Sequence, residues 1–155
     1  VFALLDDDSY TWLSPYKWTL TSNTSGLKYA RRHLSSPQTG IQEFVYLHNV
    51  IAGISEDYKM AFRDGNPLNM QRANMKMMNW RGEQVKWYGC NGRSDFNGVK
   101  WDAYYGLWKT EFKGMVVGYF VAEMSAAKAY NDKVAEVYGG NIDEINTIDV
   151  GLLNA

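Results

Sequence analysis

Few side chains in this chain can do acid–base or nucleophilic chemistry near neutral pH. There are two histidines, His33 and His48, and one cysteine, Cys90. A single cysteine rules out an internal disulfide and a cysteine-based zinc site. Two histidines are too few for a histidine-rich metal centre. His48 lies in the apolar run "IQEFVYLHNVIAGI", residues 41–54, where a buried, hydrogen-bonded imidazole is the ordinary outcome and a general base the alternative. His33 follows Arg31 and Arg32, a basic strand end that faces solvent or meets a phosphate. Asp64 is ionisable but stands in Arg-Asp-Gly-Asn-Pro, a composition that shapes a turn.

The elements that must position these groups follow from periodicity. "YKWTLTSN" and "LKYARRH" alternate as strands on either side of a Thr-Ser-Gly turn, and "LSSPQTG" (34–40) is a connection. The 41–54 run reads equally as strand or helix. Asp6-Asp7-Asp8 is read as a solvated charge run. After residue 90, "GVKWDA", "LWKTEF" and "MVVGYF" are three short strands separated by Tyr-Tyr-Gly and Lys-Gly turns. In the second of them, alternation places Trp108, Thr110 and Phe112 on one face and Lys109, Glu111 and Lys113 on the other. Residues 123–138 then carry Ala127, Tyr130, Val134, Val137 and Tyr138 at helical spacing, with Gly139-Gly140 as the stop. The fold class is therefore α+β, ending in a three-stranded antiparallel sheet packed on one helix. Two domains, 1–88 and 89–155, are expected to meet near "YGCNGRSD" (88–95). Val99, Trp101, Trp108, Phe112, Val117, Ala127, Tyr130 and Val134 should be buried in the second.

At 155 residues with a net charge of −1, the chain can build real cores but has no global basic footprint of the kind duplex-binding proteins usually show. No apolar run approaches the roughly 20 residues of a membrane span, and the N-terminus has no basic-then-apolar leader pattern. No membrane association and a cytoplasmic compartment are expected.

The C-terminal blocks "FNGVKW", "LWKTEFKG", "VGYF" and "SAAKAYN" resemble, in order and spacing, the ethylene-response-factor (APETALA-type) DNA-binding domain. The N-terminal blocks "LDDDSYTWLSPYKWTL", "VYLHNVIAG" and "DGNPLNMQRANM" look like successive segments of the HNH homing endonucleases that carry this same module, often in phages and other mobile elements. The resemblance implies a ββα-metal region, here degenerate, followed by a sheet that is laid in the DNA major groove. It also implies a bacterial or phage-infected cell as the setting.

Within that resemblance the chemistry is depleted. In the HNH family one divalent metal neutralises charge at the phosphodiester and a His activates the attacking water. The family pattern places a ligand Asp at Ala61 and the base His at Phe62. Ala61 offers no metal-binding side-chain atom, and Phe62 cannot accept a proton. A further ligand, carried on the motif's helix, falls near Glu83, and one carboxylate alone makes a weak cation site. Asn69 and Asn74 fit loop positions where amides hold the backbone. The reading is a pseudoenzyme with no cofactor and with the site packed shut behind Phe62. The alternative keeps a magnesium- or manganese-dependent nuclease through Asp64, Glu83 and His48.

For DNA, the resemblance carries over Asn97, Gly98, Lys100, Asp102, Tyr104, Lys109, Glu111, Lys113 and Val116 as the exposed set. Lysines stand where the family uses arginines, so weak duplex binding with little sequence preference is expected. A second alternative is a protein-interaction module, or self-association, through the same face. The family's polar helix cap falls on Ala122, so capping must come from elsewhere or be lost, at about 1 kcal/mol.

Overall fold

The computed structural model describes residues 2–53, 58–87 and 89–139. Ile54, Tyr88 and residues 140–155, over which parts of these expectations run, lie outside the described residues. Three small antiparallel sheets follow one another along the chain, each of three strands in sequence order.

The first element is one that periodicity did not reveal. Helix α1, Asp7–Leu13, opens on the acidic run, with Asp7 and Asp8 in its first turn, where carboxylates oppose the positive end of the helix dipole. Asp6 and Asp8 are not merely solvated, because both meet Arg72, at 3.4 and 2.9 Å. Strands β1 (Thr19–Ser22), β2 (Lys28–Ser35) and β3 (Gln42–Tyr46) form the first sheet. The ambiguous 41–54 run is both things in turn: β3 passes directly into helix α2, Leu47–Ala52, which stops at Gly53 in the left-handed region. Leu47, Val50 and Ile51 bury the inner side of this helix with Val45, Leu68, Met70 and Met75.

The second sheet joins β4 (Lys59–Phe62), β5 (Met75–Met78) and the short β6 (Gln84–Val85). Ala61 stands opposite Lys76, and Phe62 opposite Met75.

The third sheet comprises β7 (Val99–Asp102), β8 (Leu107–Phe112) and β9 (Met115–Phe120), with helix α3, Glu123–Tyr138, packed across it. In β8, Trp108, Thr110 and Phe112 are buried as the alternation requires. Thr110 stays buried at no cost because its hydroxyl donates to the Ala126 carbonyl at 2.8 Å, tying β8 to α3. Val99, Ala127, Tyr130 and Val134 are also buried, while Trp101 and Val117 are half-buried. Val137 and Tyr138, which share the helical spacing of that face, remain 48% and 44% exposed. The last turn of α3 reaches the sheet's rim, where Tyr138 meets Phe112 edge-on, with ring centroids 6.1 Å apart. Ala122 provides no side-chain cap. Instead the amide of Met124 donates to the Gly53 carbonyl at 3.3 Å, so the end of α2 helps to satisfy the start of α3.

The expected boundary near 88–95 is bridged by several contacts. Trp12 of α1 meets Trp101 edge-on at 4.7 Å, and Trp101 meets Trp108 at 5.2 Å. The buried Arg32 donates to the carbonyls of Tyr105 and Gly106 at 3.3 and 2.7 Å. Gln38 accepts the Tyr119 amide at 3.0 Å, which occupies a backbone donor on edge strand β9.

Candidate functional site

The β4–β5 connection, where the sequence points to lost chemistry, is closed by amides. The Asp64 carboxylate accepts from the Asn66 amide (2.9 Å), Asn69 Nδ2 (2.8 Å) and Asn74 Nδ2 (2.9 Å). Asn74 also donates to the Asn69 carbonyl and accepts the Asp64 amide. These donors, Asn69 first, hold the Asp64 carboxyl below the usual carboxylate range. Asp64 is thereby a loop-closing acceptor, with three bonds accepted by its two oxygens.

Phe62 is half-buried and packs on the N-terminal core. Its ring meets the His48 imidazole edge-on at 5.8 Å. His48 lies on α2 among Tyr29, Tyr46 and Phe62, and burial pushes its pKa down to about 4. The ring is therefore neutral near pH 7, and Phe62, at the position of the expected base, offers it no proton-transfer partner.

Glu83 is not on a helix. Residues 79–83 make a turn in which Asn79 Oδ1 accepts the amides of Arg81 and Glu83 at 3.0 and 2.9 Å, and β6 follows. The carboxylate is exposed. His48, Asp64 and Glu83 thus occupy a helix, one loop and a different turn. Among the described residues no three His, Cys, Asp or Glu side chains gather in a way that would hold a metal ion.

Cys90 lines a cavity of about 640 Å³ that also includes Arg72, Trp87, Arg93, Asp95 and Glu123. Its thiol is buried, with Sγ 3.1 Å from Glu123 Oε2, and burial followed by the Glu123 charge raises its pKa well above the ordinary value. Such a thiol is not a nucleophile at neutral pH. Arg72, which borders the same cavity, is already engaged by Asp6, Asp8 and the Cys90 carbonyl.

The outward face of β7–β9 carries Lys100 opposite Lys109, and Lys109 opposite Tyr119. Lys109 Nζ sits 2.6 Å from Glu111 Oε1, and each group shifts the other toward its charged form. Asp102 is spent on local structure: its Oδ1 accepts the amides of Tyr104 and Tyr105 and shapes the β7–β8 turn. Tyr104 is 87% exposed at that turn. From it a file of rings crosses to β9, Tyr104 to Tyr105 at 5.0 Å and Tyr105 to Tyr119 at 4.9 Å. The last two rings were not singled out from sequence, although Tyr119 has the strand parity of Lys109.

Asn97, Gly98 and Val116 lie exposed around this sheet. Lys113 does not share the outer face with Lys109 and Glu111, as alternation had placed it. With φ 49 it forms a two-residue turn with Gly114, and its Nζ lies 4.6 Å from the Tyr138 ring of α3. Strand parity ends where both central turn residues take positive φ.

Comparison with family models, with curated proteins and with solved structures found no match to this chain.

Proposed function

We propose that this chain is a DNA-binding protein of the HNH homing-endonuclease type that has lost cleavage and meets duplex DNA weakly through the outer face of β7–β9. The observation that carries the reading is the open face of that sheet. Lys100, Lys109 and the Tyr104–Tyr105–Tyr119 file lie on the side opposite α3, which covers the apolar side. Two lysines and a row of phenols suit phosphate and sugar contacts, while the absence of arginine from the face removes the commonest base-specific fork. The local charges of Asp102 and Glu111 keep affinity modest. Loss of cleavage is supported by Phe62 against His48 and by an Asp64 already bonded to three amides.

Two measurements test this. Anisotropy titration of a labelled duplex at low and moderate salt should show binding that weakens steeply with salt and falls about equally on all sequences when Lys100→Ala and Lys109→Ala are combined. No binding at low salt would end the duplex reading and leave the face to a protein partner. Supercoiled plasmid incubated with the protein and magnesium or manganese should stay intact, since removing the base alone forfeits roughly 10²–10⁴-fold in rate. Metal-dependent nicking abolished by His48→Ala or Glu83→Ala would show that catalysis has moved.

A further inference from the structure

The outward face of the first sheet differs from everything described so far. Alternation along β2 sends Ala30, Arg32 and Leu34 inward, and sends Tyr29, Arg31 and His33 outward. From β3, Phe44 stands opposite His33 and Tyr46 opposite Arg31. The Arg31 guanidinium lies over the Phe44 ring, 3.7 Å from its centroid. His33 meets the same ring at 5.1 Å. Tyr29 meets Tyr46 at 6.2 Å and His48 at 5.8 Å. Among the described residues no carboxylate pairs with Arg31. Phe44 is half exposed, at 49%.

A cleft of about 470 Å³ opens beside this row, lined by Tyr29, Arg31, Tyr46 and His48 together with the hydroxyl and amide groups of Thr21, Ser22, Asn23 and Asn49. Its size falls within the range of small-ligand sites. Flat aromatic walls suit a heteroaromatic ring. Neutral imidazole, amide and hydroxyl groups suit the polar edge of a base, and an unpaired guanidinium suits a phosphate.

We propose that this face is a single-stranded nucleic-acid platform, with one base seated in the cleft and the following phosphate and base carried on Arg31 and Phe44. A strand fits better than a free nucleotide because the row continues beyond the cleft. Tyr46 and Phe44, two residues apart on β3, are separated by about 7 Å, about the reach of one extended nucleotide, and His33 stands beside the second. Stacking on successive rings is how sequence-tolerant single-strand binders hold bases, with a cationic groove tracking the backbone. The site is on the other half of the chain from Lys100 and Lys109 and stands whether or not the third sheet binds duplex.

The test uses the full chain and a short fluorescein-labelled oligothymidylate, which forms no duplex. At low salt it should bind more tightly than a duplex of the same length, and thymidine monophosphate should compete poorly. Phe44→Ala and Arg31→Gln should each weaken strand binding by roughly 5- to 100-fold, with circular dichroism unchanged. Lys100→Ala with Lys109→Ala should leave it intact. Phe44→Leu keeps an apolar side chain while removing the ring, so it should lose stacking even if the alanine variant misfolds. The proposal is overturned by no binding at low salt, by equal binding of the Phe44→Leu and parent chains, by a monophosphate that competes as well as the strand, or by binding lost with the lysines.

Discussion

The first and third sheets have the same plan, three antiparallel strands with one side buried, yet they treat their outward cations oppositely. On β8, Lys109 is held 2.6 Å from Glu111 on the same strand. On β2, Arg31 lies on Phe44 with no carboxylate partner among the described residues. An exposed ion pair contributes little stability, but it does remove a cation from the pool that can meet phosphate. A guanidinium on an aromatic face is positioned without being neutralised. The third sheet therefore offers the quieter pair of charges. The first sheet keeps a half-buried cation with no carboxylate partner among the described residues.

The largest expected effect breaks one side of this comparison. Gly98 has φ +73, and a Cβ there would sit 2.5 Å from the Glu111 carbonyl and 2.2 Å from the Tyr130 ring. Gly98→Ala should destabilise the chain by about 3 kcal/mol through backbone strain and overpacking, read as a lower urea midpoint, and should abolish duplex binding. An unchanged midpoint would mean that β7 and β8 are not packed this closely.

The next effect belongs to the aromatic wall beside the first sheet. Burial lowers His48 from an ordinary 6.5 to about 4, so between those values the unfolded chain binds more protons than the folded one. Stability should then fall as pH drops from about 6.5 to 4, by up to about 3 kcal/mol, and level off below. The depressed carboxyls of Asp8, Asp64 and Glu111 add their own losses from about pH 5 downward, so the levelling concerns the His48 contribution alone. His48→Phe should flatten the upper part of the curve in urea titrations across pH. A slope unaltered by that substitution would place the titrating group elsewhere.

A smaller effect tests the middle sheet, whose loop carboxylate is hydrogen-bonded by amides rather than paired with a cation. Asn74→Ala removes two donated bonds and one accepted bond at the β4–β5 loop and should lower Tm by roughly 2–5 °C, seen by calorimetry. No change would mean that solvent replaces these bonds freely. The smallest effect sharpens the comparison directly. Glu111→Gln converts the paired lysine into a free one and should raise duplex affinity about two- to fivefold at low salt. Weaker binding would show that Glu111 itself takes part in recognition.

Much of this was legible in the residues because burial writes a period into them. The run Trp108, Thr110, Phe112 disclosed the inner face of β8, and Gly139 ended α3 where a left-handed residue was needed. Helix α1 was hidden because an acidic run has the same appearance whether it caps a helix or simply faces water. What distinguishes the two cases is Arg72, 64 residues away from Asp8, and such pairing leaves no local period. Lys113 was misplaced for a related reason, since a two-residue turn breaks the alternation that the strand obeys. The aromatic row on β2 and β3 needed a register as well as a period: Tyr29, Arg31 and His33 alternate visibly, but only pairing with β3 brings Phe44 and Tyr46 beside them.

Arg32, next to Arg31 in sequence and opposite in direction, has a consequence for how such chains are inherited. Its guanidinium fills the space where Gly106 has no side chain, 2.2 Å from where a Cβ would be, and bonds carbonyls of the β7–β8 turn. A C-terminal segment transplanted alone into another protein would give up both of those bonds to water and lose the side chain that fills the hollow. A new N-terminal neighbour would have to bring a matching arginine. Recombination that cuts between the halves would sever this contact, so the two segments are fitted to each other rather than interchangeable.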